Sequence, residues 1–305
     1  MYKESWRQQN SPGGEKQMKV IIFGVNGMAG HMAALYLAER GHQVTGFARR
    51  LQNLGEGIVC IEGDALNQDS VRSVLAEGTY DAAVNCIGIL NRAVDAKLSE
   101  GIYLNSVFPH FLAECAEDAG ARVIHISTDC VFSGSKGQYT EKSTPDAESY
   151  YGRSKALGEL TDDRNLTLRT SIVGPELKAD GIGLFHWFMG QDGEIDGFTK
   201  AIWSGVTTLE LAKSIEAAMR QNLTGLYHLV NNEEISKYDL LRLFNEYSNR
   251  NRTVIHAKDT FVNNKSLLDT RRELDHIVPS YRIMVQEQAE WMENHRDFYR
   301  CYLEK

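Results

Sequence analysis

The sequence predicts an α/β fold, a doubly wound parallel sheet followed by a smaller C-terminal lobe. Short apolar runs, typical of strands buried on both faces, alternate with helical segments from residue 18 to residue 175. After Gly174-Pro175 this alternation weakens and glycine- and aspartate-rich loops separate the segments. We therefore expect a flexible extension (1–17), a dinucleotide-binding domain (18–175) and a substrate-binding lobe (176–305) from which the chain can partly return to the sheet.

The elements follow one another in a regular order. The predicted strands are 20–23, 43–48, 58–62, 82–87, 122–127 and 166–169. The predicted helices are 28–40, 70–76, 102–119 and, in the second lobe, 209–220 and the closing segment 287–302. Because strand–helix–strand crossovers are right-handed, this order places helices on both faces of a parallel sheet.

Composition excludes several classes of protein. The 305 residues carry 33 basic and 41 acidic side chains, a net charge of −8, which disfavours binding to nucleic acid. No apolar run approaches the ~18 residues that a membrane-spanning helix needs. The five cysteines are odd in number and lack a Cys-x-x-Cys pair, so we expect reduced thiols in a cytoplasmic protein and no metal site.

A glycine-rich turn joins the first predicted strand to the first predicted helix. It reads Gly24-Val25-Asn26-Gly27-Met28-Ala29-Gly30. Glycines in this position allow a tight turn and close approach of the backbone to a pyrophosphate, which the N-terminus of the following helix attracts. The turn therefore predicts a Rossmann-type dinucleotide site that uses Gly24, Asn26, Gly27, Met28 and Gly30.

The residues that follow the next three strands indicate the rest of the cofactor site. Arg49 and Arg50 stand where an acidic residue would bind the ribose of NAD, and two guanidinium groups suit a 2′-phosphate. The expected cofactor is therefore NADPH, with NADH as the alternative. Further expected contacts are Asp64 and Ala65 near the adenine, and Cys86, Ile87 and Gly88 beneath the cofactor.

A Tyr-x-x-x-Lys spacing predicts the catalytic centre. Tyr151 and Lys155 lie on one face of a helix, and a nearby ammonium is expected to lower the pKa of the phenol. Thr128 ends the fifth strand, at the sheet edge where parallel α/β proteins bind ligands. We expect Tyr151 to donate a proton to a carbonyl that Thr128 also binds.

Several motifs together carry a family resemblance. The chain resembles the extended short-chain dehydrogenases/reductases of the sugar-nucleotide branch, and within it the dTDP-4-dehydrorhamnose reductases. The similar segments are 24–30, Asn105 with Pro109, 127–134 (Ser-Thr-Asp-Cys-Val-Phe-Ser-Gly), 151–155 with Gly158-Glu159, and 168–171 (Leu-Arg-Thr-Ser).

The resemblance implies a reaction and a set of roles. NADPH would deliver hydride to C4 of a 4-keto-6-deoxyhexose carried on a nucleoside diphosphate, as in deoxysugar and polysaccharide biosynthesis. Tyr151 would give the proton, Lys155 would hold the nicotinamide ribose, Thr128 would polarise the ketone and Asn105 would support the proton relay. The implied substrate contacts are Thr128, Asp129, Cys130 and Trp203, and a homodimer is the expected assembly.

Two alternatives stay open. Cys130 replaces the tyrosine usual in the rhamnose enzymes and follows Thr128 as the acid/base cysteine of GDP-fucose synthase follows its serine, although the partner histidine falls at Glu176. The chain would then epimerise before it reduces. The other alternative is a regulatory module that binds the nucleotide without turnover, as in the related β subunit of methionine adenosyltransferase.

Overall fold

The structure, a computed structural model, describes residues 16–248 and 252–304. Most of the expected extension, residues 1–15, lies outside the described residues. The strands are β1 Lys19–Phe23, β2 Gln43–Ala48, β3 Ile58–Glu62, β4 Ala82–Asn85, β5 Arg122–Thr128, β6 Leu166–Thr170, β7 Ile172–Val173, β8 Gly193–Phe198, β9 Ala201–Trp203, β10 Val206–Thr207, β11 Gly225–His228, β12 Ile235–Ser236, β13 Thr253–Lys258 and β14 Asn263–Asn264.

The helices cover both faces of the main sheet and build much of the second lobe. They are α1 Met28–Glu39, α2 Gln68–Glu77, α3 Asn91–Ala96, α4 Leu98–Ile102, α5 Phe108–Asp118, α6 Tyr150–Leu157, α7 Leu184–Met189, α8 Thr208–Gln221, α9 Lys237–Tyr247, α10 Tyr281–Asn294 and α11 Arg296–Leu303. A π-helical segment, Tyr103–Val107, joins α4 to α5, and a 3₁₀ turn, Asp129–Val131, follows β5.

Seven parallel strands form the central sheet in the order β11-β6-β5-β4-β1-β2-β3. β1 pairs with both β2 and β4, so the strand order reverses at β1. Ligands of open α/β sheets bind outside the carboxyl ends of the strands at such a reversal. The doubly wound parallel sheet is therefore confirmed, and its crevice lies where the glycine turn leaves β1.

The chain re-enters this sheet from the second lobe, because β11 pairs in parallel with β6. The largest apolar cluster of the described residues joins the two parts of the chain: it contains Val20 of β1 as well as Phe185 and Phe188 of α7, whose rings pack against Phe244 at 5.1 and 5.9 Å. The boundary near residue 175 stays a prediction.

Two helices expected to be continuous are interrupted. The predicted helix 102–119 contains the π-helical segment, where the N–H of Phe108 bonds to the carbonyl of Tyr103. Pro109 has no N–H and its ring would clash with the carbonyl of Asn105 four residues earlier, so the turn widens there. The predicted closing helix is α10 followed by α11, which are separated at the non-helical residue His295.

Within the described part of the chain, no helix combines the length and apolar character that crossing a bilayer would require.

Candidate active site

The glycine turn forms a tight cradle between β1 and α1. Gly24 has φ +81°, and a Cβ at Gly30 would lie only 2.2 Å from the carbonyl oxygen of Gly24. No side chain of the described residues caps α1 at Gly27. The Oδ1 atom of Asn26 is buried without a hydrogen-bond partner, while its Nδ2 donates to the carbonyl of Arg50 at 2.8 Å. The cradle thus offers helix N–H groups and an approach free of side chains at Gly30, which fits a pyrophosphate.

The ends of β2 and β3 lie beside this cradle. Arg49 and Arg50 are exposed, and the bond from Asn26 connects the Arg50 backbone to the glycine turn. Ala65 is buried after β3, and Asp64 Oδ1 accepts the N–H of Leu66 at 3.0 Å. Asp64 therefore shapes its own turn, and its predicted adenine contact stays a prediction, as does that of Ala65.

The segment after β4 lies against the same turn. A Cβ at Gly24 would lie 3.0 Å from Ile87 Cγ1 and 3.2 Å from the carbonyl carbon of Cys86. Gly88 is exposed just beyond them. The structure thus brings together the predicted cofactor residues that follow β1, β2 and β4.

The catalytic tyrosine is positioned by close packing of α6 on the end of β5. Ser149 caps α6 by accepting the N–H of Gly152 at 3.1 Å. A Cβ at Gly152 would lie 2.2 Å from the carbonyl oxygen of Cys130, so only glycine permits this approach. Tyr151 and Thr128 are each 8 % exposed, and their side chains lie close enough for the Thr128 hydroxyl to influence the phenol.

The electrostatics of Tyr151 correct one expectation. Burial raises the pKa of its phenol above the usual value, the nearby Cys130 adds to the effect, and the Thr128 hydroxyl opposes it. Lys155 does not lower this pKa, because its Nζ is directed to the carbonyl of Ile126 at 2.7 Å and to His125 Nε2 at 3.1 Å. Tyr151 is therefore a protonated phenol at neutral pH, the form that can donate a proton.

The side chain of Asn105 is hydrogen-bonded to the loop that follows β4. Its amide donates to the carbonyl of Ile89 and accepts the Ile89 N–H, both at 2.9 Å, and also donates to Ser154 Oγ at 3.1 Å. Ser154 Oγ in turn donates to the carbonyl of Tyr151 at 3.0 Å. The observed contacts of Asn105 hold that loop against α6, and its part in a proton relay stays a prediction.

Asp129 and Cys130 lie next to Thr128. Thr128 Oγ1 donates to Asp129 Oδ1 at 3.1 Å and accepts the N–H of Cys130 at 3.1 Å. Burial, followed by the charge of Asp129, raises the pKa of the Cys130 thiol to about 11. The carboxylate of Glu176 accepts the N–H of Gly183 at 2.7 Å. Cys130 is therefore a neutral thiol at neutral pH, and its part in the epimerase alternative stays a prediction.

Trp203, the fourth predicted substrate contact, is 5 % exposed, and its ring lies 5.7 Å from that of Tyr281. These contacts place Trp203 in the core of the second lobe, and its contact with the sugar stays a prediction.

Sequence reasoning missed a buried polar layer beneath the catalytic residues. Glu159 binds Arg169 through two hydrogen bonds of 2.9 and 2.5 Å and accepts Ser127 Oγ at 2.7 Å. Asn85 and His125 form a second pair, with Nδ2 and Nδ1 3.1 Å apart. The feature of the sequence that could have predicted this layer is the presence of an arginine and a histidine inside otherwise apolar strands. Over the described residues, no cluster of three or more His, Cys, Asp or Glu side chains could hold a metal ion.

Comparison with known proteins places this geometry in a family context. A family model described as "RmlD substrate binding domain" matches residues 18–267. The chain is 24 % identical over 254 residues to the spore coat polysaccharide biosynthesis protein SpsK of Bacillus subtilis, a match that covers 81 % of this chain and 86 % of that protein. It is 26 % identical over 261 residues to a dTDP-4-dehydrorhamnose reductase of Mycolicibacterium smegmatis, covering 78 % and 74 %.

Solved structures show the same fold. The crystal structure of dTDP-4-dehydrorhamnose reductase from Bacillus anthracis in complex with NADP superimposes with a TM-score of 0.75 at 20 % identity, covering 91 % of this chain and all of the other.

Proposed function

Because the chain belongs to the family of the RmlD substrate binding domain, we propose that it is an NADPH-dependent reductase of a 4-keto-6-deoxy nucleotide sugar, of the dTDP-4-dehydrorhamnose reductase type. The relatives named for that reaction and for polysaccharide biosynthesis support the substrate class. The structure that binds NADP supports the cofactor.

One observation carries this proposal. Tyr151, a buried neutral phenol, lies beside Thr128 at the carboxyl end of β5, on the sheet edge that also holds the glycine cradle. A ketone reductase needs a proton donor and a second hydroxyl at one carbonyl oxygen, beside a dinucleotide.

The cofactor site would be built from the residues described above. The cradle at Gly24, Asn26, Gly27, Met28 and Gly30 would hold the pyrophosphate, and Arg49 and Arg50 would hold the 2′-phosphate. The same sheet edge would be lined by the residues that follow β3 and β4, namely Asp64, Ala65, Cys86, Ile87 and Gly88. Lys155 would bind the nicotinamide ribose. When bound, NADPH supplies the hydride that the reduction of a ketone requires.

The side chains account for the remaining proton. The hydroxyl of Thr128 would turn from Asp129 to the ketone oxygen and would thereby orient the ketone. Tyr151 would give its phenolic proton to the same oxygen as the carbonyl carbon becomes a C–H group, and water would later restore that proton. The buried pair of Glu159 and Arg169 holds the end of β6 against the segment that follows α6.

The direct test is NADPH oxidation with dTDP-4-keto-6-deoxy sugars, combined with product analysis. We expect turnover by the unaltered chain and a loss of about 10²-fold or more in kcat for Tyr151→Phe, because the proton donor is removed while the ring is retained. Tyr150→Phe, an exposed neighbour on the same helix, serves as the control and should keep its kcat.

Three outcomes distinguish the alternatives. Near-normal kcat in Tyr151→Phe would exclude Tyr151 as the donor. Tight NADPH binding without turnover on any sugar of the panel would support the regulatory module. Deuterium incorporation at C3 or C5 in D₂O, abolished by Cys130→Ser, would support the epimerase.

A further inference from the structure

Three buried polar side chains form a row behind Tyr151. Asn85 ends β4, His125 is its register partner on β5, and Lys155 projects from α6. They are 0 %, 0 % and 3 % exposed. His125 Nδ1 lies 3.1 Å from Asn85 Nδ2, and His125 Nε2 lies 3.1 Å from Lys155 Nζ. The imidazole therefore connects the central strands to the lysine of the Tyr-x-x-x-Lys motif.

The direction of the hydrogen bonds in this row can be deduced. The Oδ1 atom of Asn85 accepts the N–H of Ile87 at 3.1 Å, which leaves its NH₂ group facing His125. His125 Nδ1 must then be an acceptor, and the single proton of a neutral imidazole sits on Nε2. That Nε2–H points at Lys155 Nζ, and an amine can accept it whereas an ammonium, which has donors only, cannot.

The neighbouring charges agree with this reading. Burial holds the pKa of His125 well below its usual value, and a proton on Lys155 or His110 lowers it further, so the ring stays neutral in either state of Lys155. Burial lowers the pKa of Lys155 to about 8, while Glu159 and Cys86 act in the opposite direction. These groups come from α5, α6 and the segment after it, β5 and the segment after β4, the elements around the amine.

We propose that His125 is a positioning residue that holds Lys155 against the end of β5 and favours its uncharged amine, so that binding of NADPH above neutral pH is accompanied by uptake of one proton at Lys155. This inference rests on the proposed function, since it assigns Lys155 to the cofactor. The polyanionic cofactor favours the ammonium, which must then exchange the His125 bond for one to the ribose. The imidazole thereby makes cofactor affinity depend on pH.

Calorimetry of NADPH binding in two buffers of different ionisation enthalpy tests this without any variant. We expect uptake of about one proton at pH 9 and close to none at pH 6.5, because a group with a pKa near 8 is already protonated at the lower pH. The NADPH Kd should correspondingly rise about tenfold per pH unit above pH 8. No difference between the buffers at pH 9 would overturn the proposal.

The variant His125→Gln assigns the effect to the imidazole. A glutamine amide can present an oxygen to the ammonium, so the break, the pH above which the NADPH Kd begins to rise, should move to higher pH. NADPH binding should then be about tenfold tighter than in the unaltered chain at pH 9 and similar at pH 6.5. His42→Gln, another buried histidine that instead contacts Glu216 at 3.1 Å, is the matched control and should keep the original break.

A merely structural role of His125 predicts something else. His125→Gln would then weaken binding equally at every pH, and the break would not move, which would contradict the proposal. If the chain reduces the nucleotide sugar but binds NADPH without a pH break, only the inference about His125 fails. If it neither binds nor oxidises NADPH, the proposed function fails.

Discussion

At the scale of single residues, what a polar group does follows from what its few neighbours can donate or accept. Tyr151 and Lys155 lie four residues apart as their spacing requires, yet Lys155 is bonded to His125 and Ile126 rather than to the phenol. The spacing predicted the helix face. It could not predict which groups Lys155 contacts, because those groups belong to another strand.

The two arginines after β2 allow a prediction at this scale. We expect the double variant Arg49→Gln, Arg50→Gln to raise the NADPH Kd by about 10- to 100-fold, the loss of one or two charge-assisted hydrogen bonds to the 2′-phosphate. The NADH Kd should change by less than about 2-fold, because NADH lacks that phosphate. Fluorescence titration measures both constants, and Arg300→Gln on α11 is the control. Equal weakening for both cofactors would show that the arginines do not recognise the phosphate.

At the scale of elements, close backbone contacts position the site. α6 ends at Gly158, where a Cβ would lie 2.0 Å from the carbonyl oxygen of Asn105 in the π-helical segment. The wide π-helical turn ahead of Pro109 therefore packs directly against the backbone of Gly158, which has no side chain to prevent the contact. Sequence periodicity alone predicts one helix over 102–119. It cannot show the interruption, because Gly158, which packs against this segment, lies some fifty residues further along the chain.

Two glycines provide a matched test of this contact. Gly158 (φ −91°, ψ 0°) and Gly190 (φ −90°, ψ −3°) both end helices with nearly the same backbone angles. Gly158→Ala should destabilise the fold by about 1–3 kcal/mol, because the new methyl group overpacks against Asn105. At Gly190 a Cβ would meet its nearest atom at 3.4 Å, so Gly190→Ala should stay within about 0.5 kcal/mol. Urea denaturation compares them, and equal free energies of unfolding would show that α6 can move away from the π-helical segment.

At the scale of the whole molecule, buried neutral histidines couple stability to pH. Burial lowers the pKa of His31 to about 4, and burial followed by the charge of Arg169 lowers that of His228 to about 3. Both groups take up protons in the unfolded chain near pH 6.5 but in the folded chain only at lower pH. The stability that their neutral, buried state contributes is therefore fully present above pH 6.5. It is lost as the pH falls from 6.5 towards 4 for His31 and towards 3 for His228.

We expect the free energy of unfolding to fall by up to about 1.4 kcal/mol per pH unit for each such histidine between pH 6 and pH 4. Urea denaturation at pH 7, 6, 5 and 4 measures the slope. His31→Gln should reduce it, whereas His256→Gln, an exposed position on β13, should leave it unchanged. Equal stability at pH 7 and pH 4 would contradict the buried neutral state.

By itself, the amino-acid sequence determined the alternation of strands and helices, the glycine cradle and the shared face of Tyr151 and Lys155. These features depend on contacts between residues near one another in the chain, so local spacing predicts them. Only the tertiary structure decided the hydrogen-bond partner of Lys155 and the continuation of the row to Asn85. His125 is 30 residues from Lys155 and 40 from Asn85 along the chain, and parallel strand pairing together with the packing of α6 brings them within 3.1 Å.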